Sequence, residues 1–219
     1  MTMEFLDGQS LKEIIKANPN GLPVPQALNF IQGMCHGLAY AHAKGIVHSD
    51  FKPGNVFVTR FGVIKIFDFG IARAAKKKMI GDSDGDKTTF DAANLGALTP
   101  AYASPEMFQG MEPDPRDDIF ALACIAYELF SGRHPYDKER SDQARDKGLQ
   151  AKRLEQLHRL QWKGLHHGLL FDRHHRTGDA LHFLREVSRQ KSKAPMRVGV
   201  AALAVTVTLL AFSRQIKSG

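Results

Sequence analysis

The run His48-Ser49-Asp50-Phe51-Lys52-Pro53-Gly54-Asn55 is followed, a strand-length later, by Asp68-Phe69-Gly70. It sets two carboxylates, a lysine and an amide at a spacing that suits one chemistry: phosphoryl transfer from a metal-bound nucleotide. Asp50 can accept a proton from a hydroxyl. Lys52 can neutralise charge on the moving phosphoryl group. Asn55 and Asp68 are hard oxygen ligands of the kind Mg²⁺ takes. For these side chains to act together, the chain between them must fold back. Val56 to Thr59 and Val63 to Phe67 read as short strands, with Arg60 to Gly62 as the turn, so the hairpin returns Asp68 toward Asn55. The plain alternative is that Asp50, Asn55 and Asp68 are turn and cap residues.

These residues resemble the eukaryotic-type protein kinases, in their bacterial-like serine/threonine branch. The catalytic-loop pattern H-R-D-x-x-x-x-N is matched at His48, Asp50 and Asn55, with Ser49 where the arginine stands. The metal-loop pattern D-F-G is matched at Asp68, Phe69 and Gly70. Lys52-Pro53 is the serine/threonine form of the loop. Each motif is short, and the ordered set carries the resemblance. It implies ATP and Mg²⁺ as cofactors, and a serine or threonine of a protein as acceptor. With Ser49 in place of arginine, activation is expected not to depend on phosphorylation of Thr88 or Thr89 through this position.

The resemblance extends on both sides. Met3 to Leu11 is similar to the hinge between kinase lobes. Met3 would guard the back of the pocket, Glu4 to Leu6 would offer backbone groups to the adenine edge, and Phe57 would be its floor. Thr99-Pro100-Ala101-Tyr102-Ala103-Ser104-Pro105-Glu106 is similar to the end of the activation segment, with Ser104 in place of alanine. There the resemblance implies that Thr99 hydrogen-bonds Asp50 and Lys52. It also implies that Glu106 pairs with the late Arg176, and that Asp118 holds the catalytic-loop backbone. His48, Phe69 and Gly70 are structural in the same scheme.

The remaining chain supplies the scaffold. Leu11 to Ala17 is a short helix. Pro25 to Lys44 carries Ala27, Leu28, Ile31, Met34, Cys35, Leu38 and Ala41 at helical spacing, with Gly45 as the stop. Its Gly33, Gly37 and Ala41 predict close helix packing. Asp117 to Phe130 is apolar on most faces and is expected to be buried. Helices over about 156–170 and 179–189 close the lobe. Residues 76–92 form a long polar loop in which Asp82, Asp84 and Asp86 lack the rest of a calcium-loop pattern. His166-His167 and His174-His175 read as surface residues, because no further ligand completes a tetrahedral site.

The 219 residues carry a net charge of +7 and two cysteines, Cys35 and Cys124. Both cysteines fall in apolar helical patterns and read as reduced core residues. No basic stripe is interleaved with aromatics, so nucleic acid is not the expected partner. Residues 198–213 are free of charge. As a helix they would span about 24 Å, somewhat short of a roughly 30 Å hydrocarbon core, with Arg197 and Arg214 able to snorkel. Basic residues gather before this stretch, so the expectation is a single-pass membrane protein with the kinase lobe cytoplasmic.

The fold class expected is therefore mainly α (α+β). It is a protein-kinase-like C-lobe with a small β-hairpin at the catalytic site and one C-terminal transmembrane helix, the N-lobe being absent. The divisions are a hinge segment (1–10), the C-lobe (11–189, activation segment 68–106), a basic linker (190–197), the membrane helix (198–213) and a short tail (214–219). No Gly-rich loop or upstream lysine precedes the hinge, so the chain reads as a fragment of a serine/threonine kinase. The alternative function is an inactive membrane-tethered scaffold (a pseudokinase). A small-molecule phosphotransferase ranks below both, because such enzymes usually lack the Thr99 to Glu106 segment.

Overall fold

The computed structural model describes residues 7–69 and 99–189. Its centre is helix α4, Pro115–Ser131, in which every residue from Asp117 to Phe130 is buried. The helix starts where the local chemistry is strongest. Asp114 accepts the N–H of Arg116 at 2.8 Å, Asp117 accepts the N–H of Asp114 at 3.0 Å, and Pro115 stands at the first helical position. This reciprocal cap satisfies donors that a helix start otherwise leaves open. At the far end Gly132 takes φ +72°, and a Cβ there would meet the Pro19 carbonyl oxygen at 2.1 Å. Gly21, at φ +83°, makes the reciprocal approach to the Phe130 carbonyl. The Leu22 N–H to Leu129 carbonyl bond of 2.7 Å completes this clamp.

Around α4 lie α1 (Leu11–Ala17), α2 (Val24–His42), α6 (Arg159–Gly168) and α7 (Ala180–Val187). Helix α2 buries Ala27, Ile31, Met34, Cys35, Leu38 and Ala41, the face its periodicity implies. Phe120, Phe130, Phe183, Ile31 and Leu38 are among the fully buried side chains. Each such side chain contributes about 1.5–3 kcal/mol relative to exposure. Both cysteines are free and buried, as expected.

Strand β1 (Gly8–Ser10) pairs antiparallel with β2 (Val56–Thr59), and β2 with β3 (Ile64–Ile66). The hairpin was expected; the third strand was not, and β3 is shorter at both ends than the apolar run suggested. Helix α2 packs closely on α4 and α7, but not through Gly33 and Gly37. These two face β3, where a Cβ would lie 2.4 Å and 2.6 Å from Ile64 and Ile66, so they seat a strand. Helix α6 also lies close against α7, where Gly164 abuts Glu186 and Gly168 abuts Phe183. Two short helices, α3 (Pro105–Phe108) and α5 (Ser141–Asp146), also went unforeseen.

His174 and His175 are exposed, His166 is exposed, and His167 lies 3.1 Å from Glu186. Among the described residues no cluster of three or more histidine, cysteine and acid side chains is placed to hold a metal ion. None of the helices described is long and apolar enough to cross a membrane. The stretch 198–213, the linker 190–197, the tail 214–219 and the Asp82–Asp86 run lie outside the described residues.

Candidate active site

The catalytic loop follows α2 and is held from below. Asp118, in the first turn of α4, accepts the His48 N–H at 2.8 Å and the Ser49 N–H at 2.9 Å. Its Oδ2 also lies 2.8 Å from His42 Nε2. A carboxylate only 1% exposed is costly to bury without partners, and three donors meet that need. The loop they hold is bent: Ser49 has φ +63°, a left-handed conformation that is unfavourable for a residue with a Cβ. Asp118 thus hydrogen-bonds the backbone of this loop at two successive residues.

His48 joins this loop to the metal loop. Its Nε2 donates to the Phe67 carbonyl at 2.8 Å, and its ring lies 4.8 Å from that of Phe69 and 5.3 Å from that of Phe51. Asp68, next to Phe67, takes φ +56° and is exposed. Two non-glycine residues in the left-handed region, one on each loop, mark strain that the surrounding bonds must hold.

Asn55 ends a short 3₁₀ turn, Pro53–Asn55. Its Nδ2 donates to the Asp50 carbonyl at 3.0 Å, and its own carbonyl accepts the Phe67 N–H at 2.9 Å. The amide nitrogen is thus engaged by the loop, which leaves Oδ1 as the group free to ligate. An amide oxygen and the exposed carboxylate of Asp68 are the hard donors that Mg²⁺ accepts, so the residues present fit that ion.

The Asp50 carboxylate receives Lys52 Nζ at 2.5 Å and the main-chain N–H of Thr99 at 3.3 Å. The contact expected from Thr99 therefore runs through its backbone to Asp50, and Lys52 pairs with Asp50 itself. Phe57 sits half-buried on β2, edge-on to Phe67 at 6.3 Å. Met3, Glu4, Leu6 and Gly70 lie outside the described residues.

The segment from Thr99 to Glu106 is fastened at nearly every residue. The Tyr102 hydroxyl donates to Glu128 at 2.8 Å, Ser104 Oγ donates to Asp117 at 2.7 Å, and Ser141 Oγ donates to the Ala103 carbonyl at 2.6 Å. Burial raises the pKa of Glu128, and the Tyr102 bond only partly offsets this. Glu106 pairs with Arg176 at 2.9 Å. Burial pushes Glu106 upward, but the charge and hydrogen bonds of Arg176, together with main-chain hydrogen bonds from Glu106 itself and Arg173, outweigh it and hold the carboxyl below its ordinary value. A second ion pair, Arg173 with Asp117 at 2.9 Å, lies beside the first and was missed. Ser104, a departure from alanine, is explained by that same Asp117.

His134 was also missed. The N–H groups of Tyr136 (3.2 Å) and Lys138 (2.9 Å) point at its Nδ1, so the ring proton sits on Nε2, which donates to the Ala101 carbonyl at 2.9 Å. Burial is the main cause that lowers its pKa to about 4; the nearby Lys138 acts in the same direction, while Asp137 and the Ala101 bond oppose. A histidine held below its unfolded value contributes stability in full above pH ~6.5, and that stability is lost as the pH falls toward 4. Of the total, about 3 kcal/mol, roughly 2 kcal/mol is expected to disappear between pH 6.5 and 5. His166, lowered by partial desolvation and by the neighbouring His167, acts with the same sign, so a His134→Gln variant is the control. Its denaturation midpoint should vary distinctly less over that range, and a slope equal to that of the parent would rule out His134 as the source.

The chain matches the family model for the protein kinase domain over residues 1–194. It is 41% identical over 136 residues to a probable serine/threonine-protein kinase of Streptomyces coelicolor, a match that covers 62% of this chain and 19% of that protein. It is 35% identical over 136 residues to the serine/threonine-protein kinase PknB of Mycobacterium leprae, covering 62% of this chain and 20% of that one. It thus spans about a fifth of the length of these curated relatives. Among solved structures, the PknI kinase domain of Mycobacterium tuberculosis aligns with a TM-score of 0.62 at 27% identity, covering 84% of this chain and 63% of that one.

Proposed function

The chain belongs to the protein kinase domain family, and from that premise we propose that it carries the catalytic and metal loops of an ATP-dependent serine/threonine protein kinase. The observation that supports this most is the shared frame of the two loops. Asp118 holds the backbone at His48 and Ser49, His48 reaches the carbonyl before Asp68, and Asn55 bonds both Asp50 and Phe67. One bonded frame therefore carries Asp50, Asn55 and Asp68.

In this reading Asp50 orients the acceptor hydroxyl and takes its proton. Lys52, now on Asp50, offsets the charge that grows on the transferred group. The Thr99 backbone fixes the aspartate rotamer, and so the direction from which the hydroxyl enters. Asn55 Oδ1 and the Asp68 carboxylate would hold Mg²⁺, which supplies charge neutralisation along the phosphates. Catalysis here is positioning and electrostatic stabilisation more than covalent chemistry. The test is incorporation of the γ-phosphate of Mg·ATP into serine or threonine of a protein acceptor. A scaffold would bind its partner with no incorporation and no dependence on nucleotide, and that outcome would remove the kinase reading.

The charge-free stretch 198–213, with Arg185, Arg189, Lys191, Lys193 and Arg197 before it, supports a further element: a single membrane-spanning segment with the lobe on the cytoplasmic side. Retention in the membrane fraction through an alkaline wash, abolished by deletion of 198–219, is expected. Release of the intact chain by the wash would contradict it.

A further inference from the structure

Beside the catalytic loop opens a groove of about 860 Å³, far larger than a water or an ion needs. Lys52 and Thr99, which both bond the Asp50 carboxylate, are on its lining, so the groove comes up to the immediate partners of Asp50. Its other walls are cationic. Lys12 and Lys16 stand one helical turn apart on α1, on one face. Arg133 and Lys138 flank the turn that follows α4. All four are exposed, and among the described residues none of them forms an ion pair. The contrast is with Arg116, Arg173 and Arg176 around the neighbouring Thr99–Glu106 segment, each of which has a carboxylate partner.

The groove offers little charge of the other sign. Glu128 is 4% exposed and is already bonded by the Tyr102 hydroxyl. Asp137 is the other carboxylate on the lining, and the buried His134 is neutral at pH 7. Lys138 is also placed firmly: its N–H bonds His134 Nδ1 at 2.9 Å, and its backbone is held at φ +64°. Two cations on α1 and two beside the turn after α4, none of them in an ion pair among the described residues, share a groove whose lining also includes Lys52 and Thr99, and they form a template for a negatively charged chain.

We infer that this groove selects acceptor segments with anionic side chains near the serine or threonine, whether aspartate, glutamate or a residue already phosphorylated. The inference rests on the kinase reading above and names the substrate class of that site. An extended segment advances about 3.3 Å per residue, so charges two to five residues from the hydroxyl lie about 7–17 Å from it. The attraction is between exposed charges and weakens as salt rises.

The test uses fluorescently labelled peptides with one central serine and four flanking residues that are all glutamate, all arginine, all alanine, or glutamate with one phosphoserine. Binding is read by anisotropy and transfer by kcat/KM. The glutamate peptide is expected to bind at least tenfold more tightly than the arginine peptide, with the margin shrinking at high salt. The double variant Lys12→Glu/Lys16→Glu should reverse that order, and so should Arg133→Glu/Lys138→Glu, built on a separate element in case one pair disturbs folding. A phosphoserine peptide ten times better than the glutamate peptide assigns primed acceptors; equality assigns acidic ones. Equal binding of the glutamate, arginine and alanine peptides, or preference for arginine, overturns the inference. Binding preference without transfer to any peptide would instead retire the kinase reading and leave the groove's selectivity standing.

Discussion

Arg176→Ala is expected to lower the unfolding free energy by about 3–5 kcal/mol. The guanidinium is fully buried. Its Nη2 bonds both Glu106 oxygens, at 3.2 and 2.9 Å, and the Phe171 carbonyl at 2.9 Å. Nε bonds the Leu170 carbonyl at 2.8 Å, and Nη1 the Arg116 carbonyl at 2.9 Å. The plane also lies over the Phe120 ring, 5.1 Å from its centroid. Truncation leaves Glu106 with main-chain N–H groups alone, its own and that of Arg173 at 2.8 Å, and leaves three carbonyls short of a donor. The expense lies in what is left behind, because a buried unpaired carboxylate has lost water and gained nothing.

Glu106→Gln should be milder, since an amide keeps an acceptor and carries no charge to strand. Glu106 also gives the pair a pH signature. A carboxyl held below its unfolded value contributes stability above pH ~4.5, and this is lost as the pH falls through the folded pKa. Arg176→Ala should shrink that loss, because the charge that lowers the carboxyl most is removed while the main-chain hydrogen bonds remain. Chemical denaturation of the two variants checks both points. A change under about 1 kcal/mol in Arg176→Ala would mean that the pair does not hold the segment.

Asp50→Asn is expected to reduce kcat for phosphate transfer by about 10²–10⁴-fold, with KM for ATP within a few-fold. The substitution preserves shape and can keep the Thr99 N–H contact. It removes the charge that pairs Lys52 and the basicity that takes the hydroxyl proton. Both side chains are over a quarter exposed, so the lost ion pair itself costs about 1 kcal/mol of stability or less. The split between kcat and KM is the decisive measurement, because a merely structural role would move both together. A kcat within tenfold of the parent would take the proton-accepting role away from Asp50.

Much of this was legible before any coordinates. The spacing His48, Asp50, Asn55, Asp68 survived folding as one bonded frame, because a hairpin of fixed strand length connects its two halves. Helices α1, α2 and α4 follow from apolar periodicity and caps, which are properties of neighbours in the chain. The partners of Asp118 and of Glu106 were named in advance only because the motifs that hold them were present in order.

What the sequence by itself determined, then, is what depends on local spacing: the element types, the loop chemistry and the burial of α4. Only the tertiary structure decided how residues far apart in the chain would meet. Beside the expected Arg176–Glu106 pair, Arg173 takes Asp117, an acid that also lies 4.0 Å from Arg176, and nothing in 172–177 alone reveals that second pair. β1 exists because Gly8–Ser10 meets a strand about fifty residues later. Lys12, Lys16, Arg133 and Lys138 read as scattered surface charges until α1 and the end of α4 are brought to one groove. The physical reason is range: propensity and periodicity act over a few residues, whereas ion pairing and groove charge act through space, between positions that only packing around α4 makes neighbours.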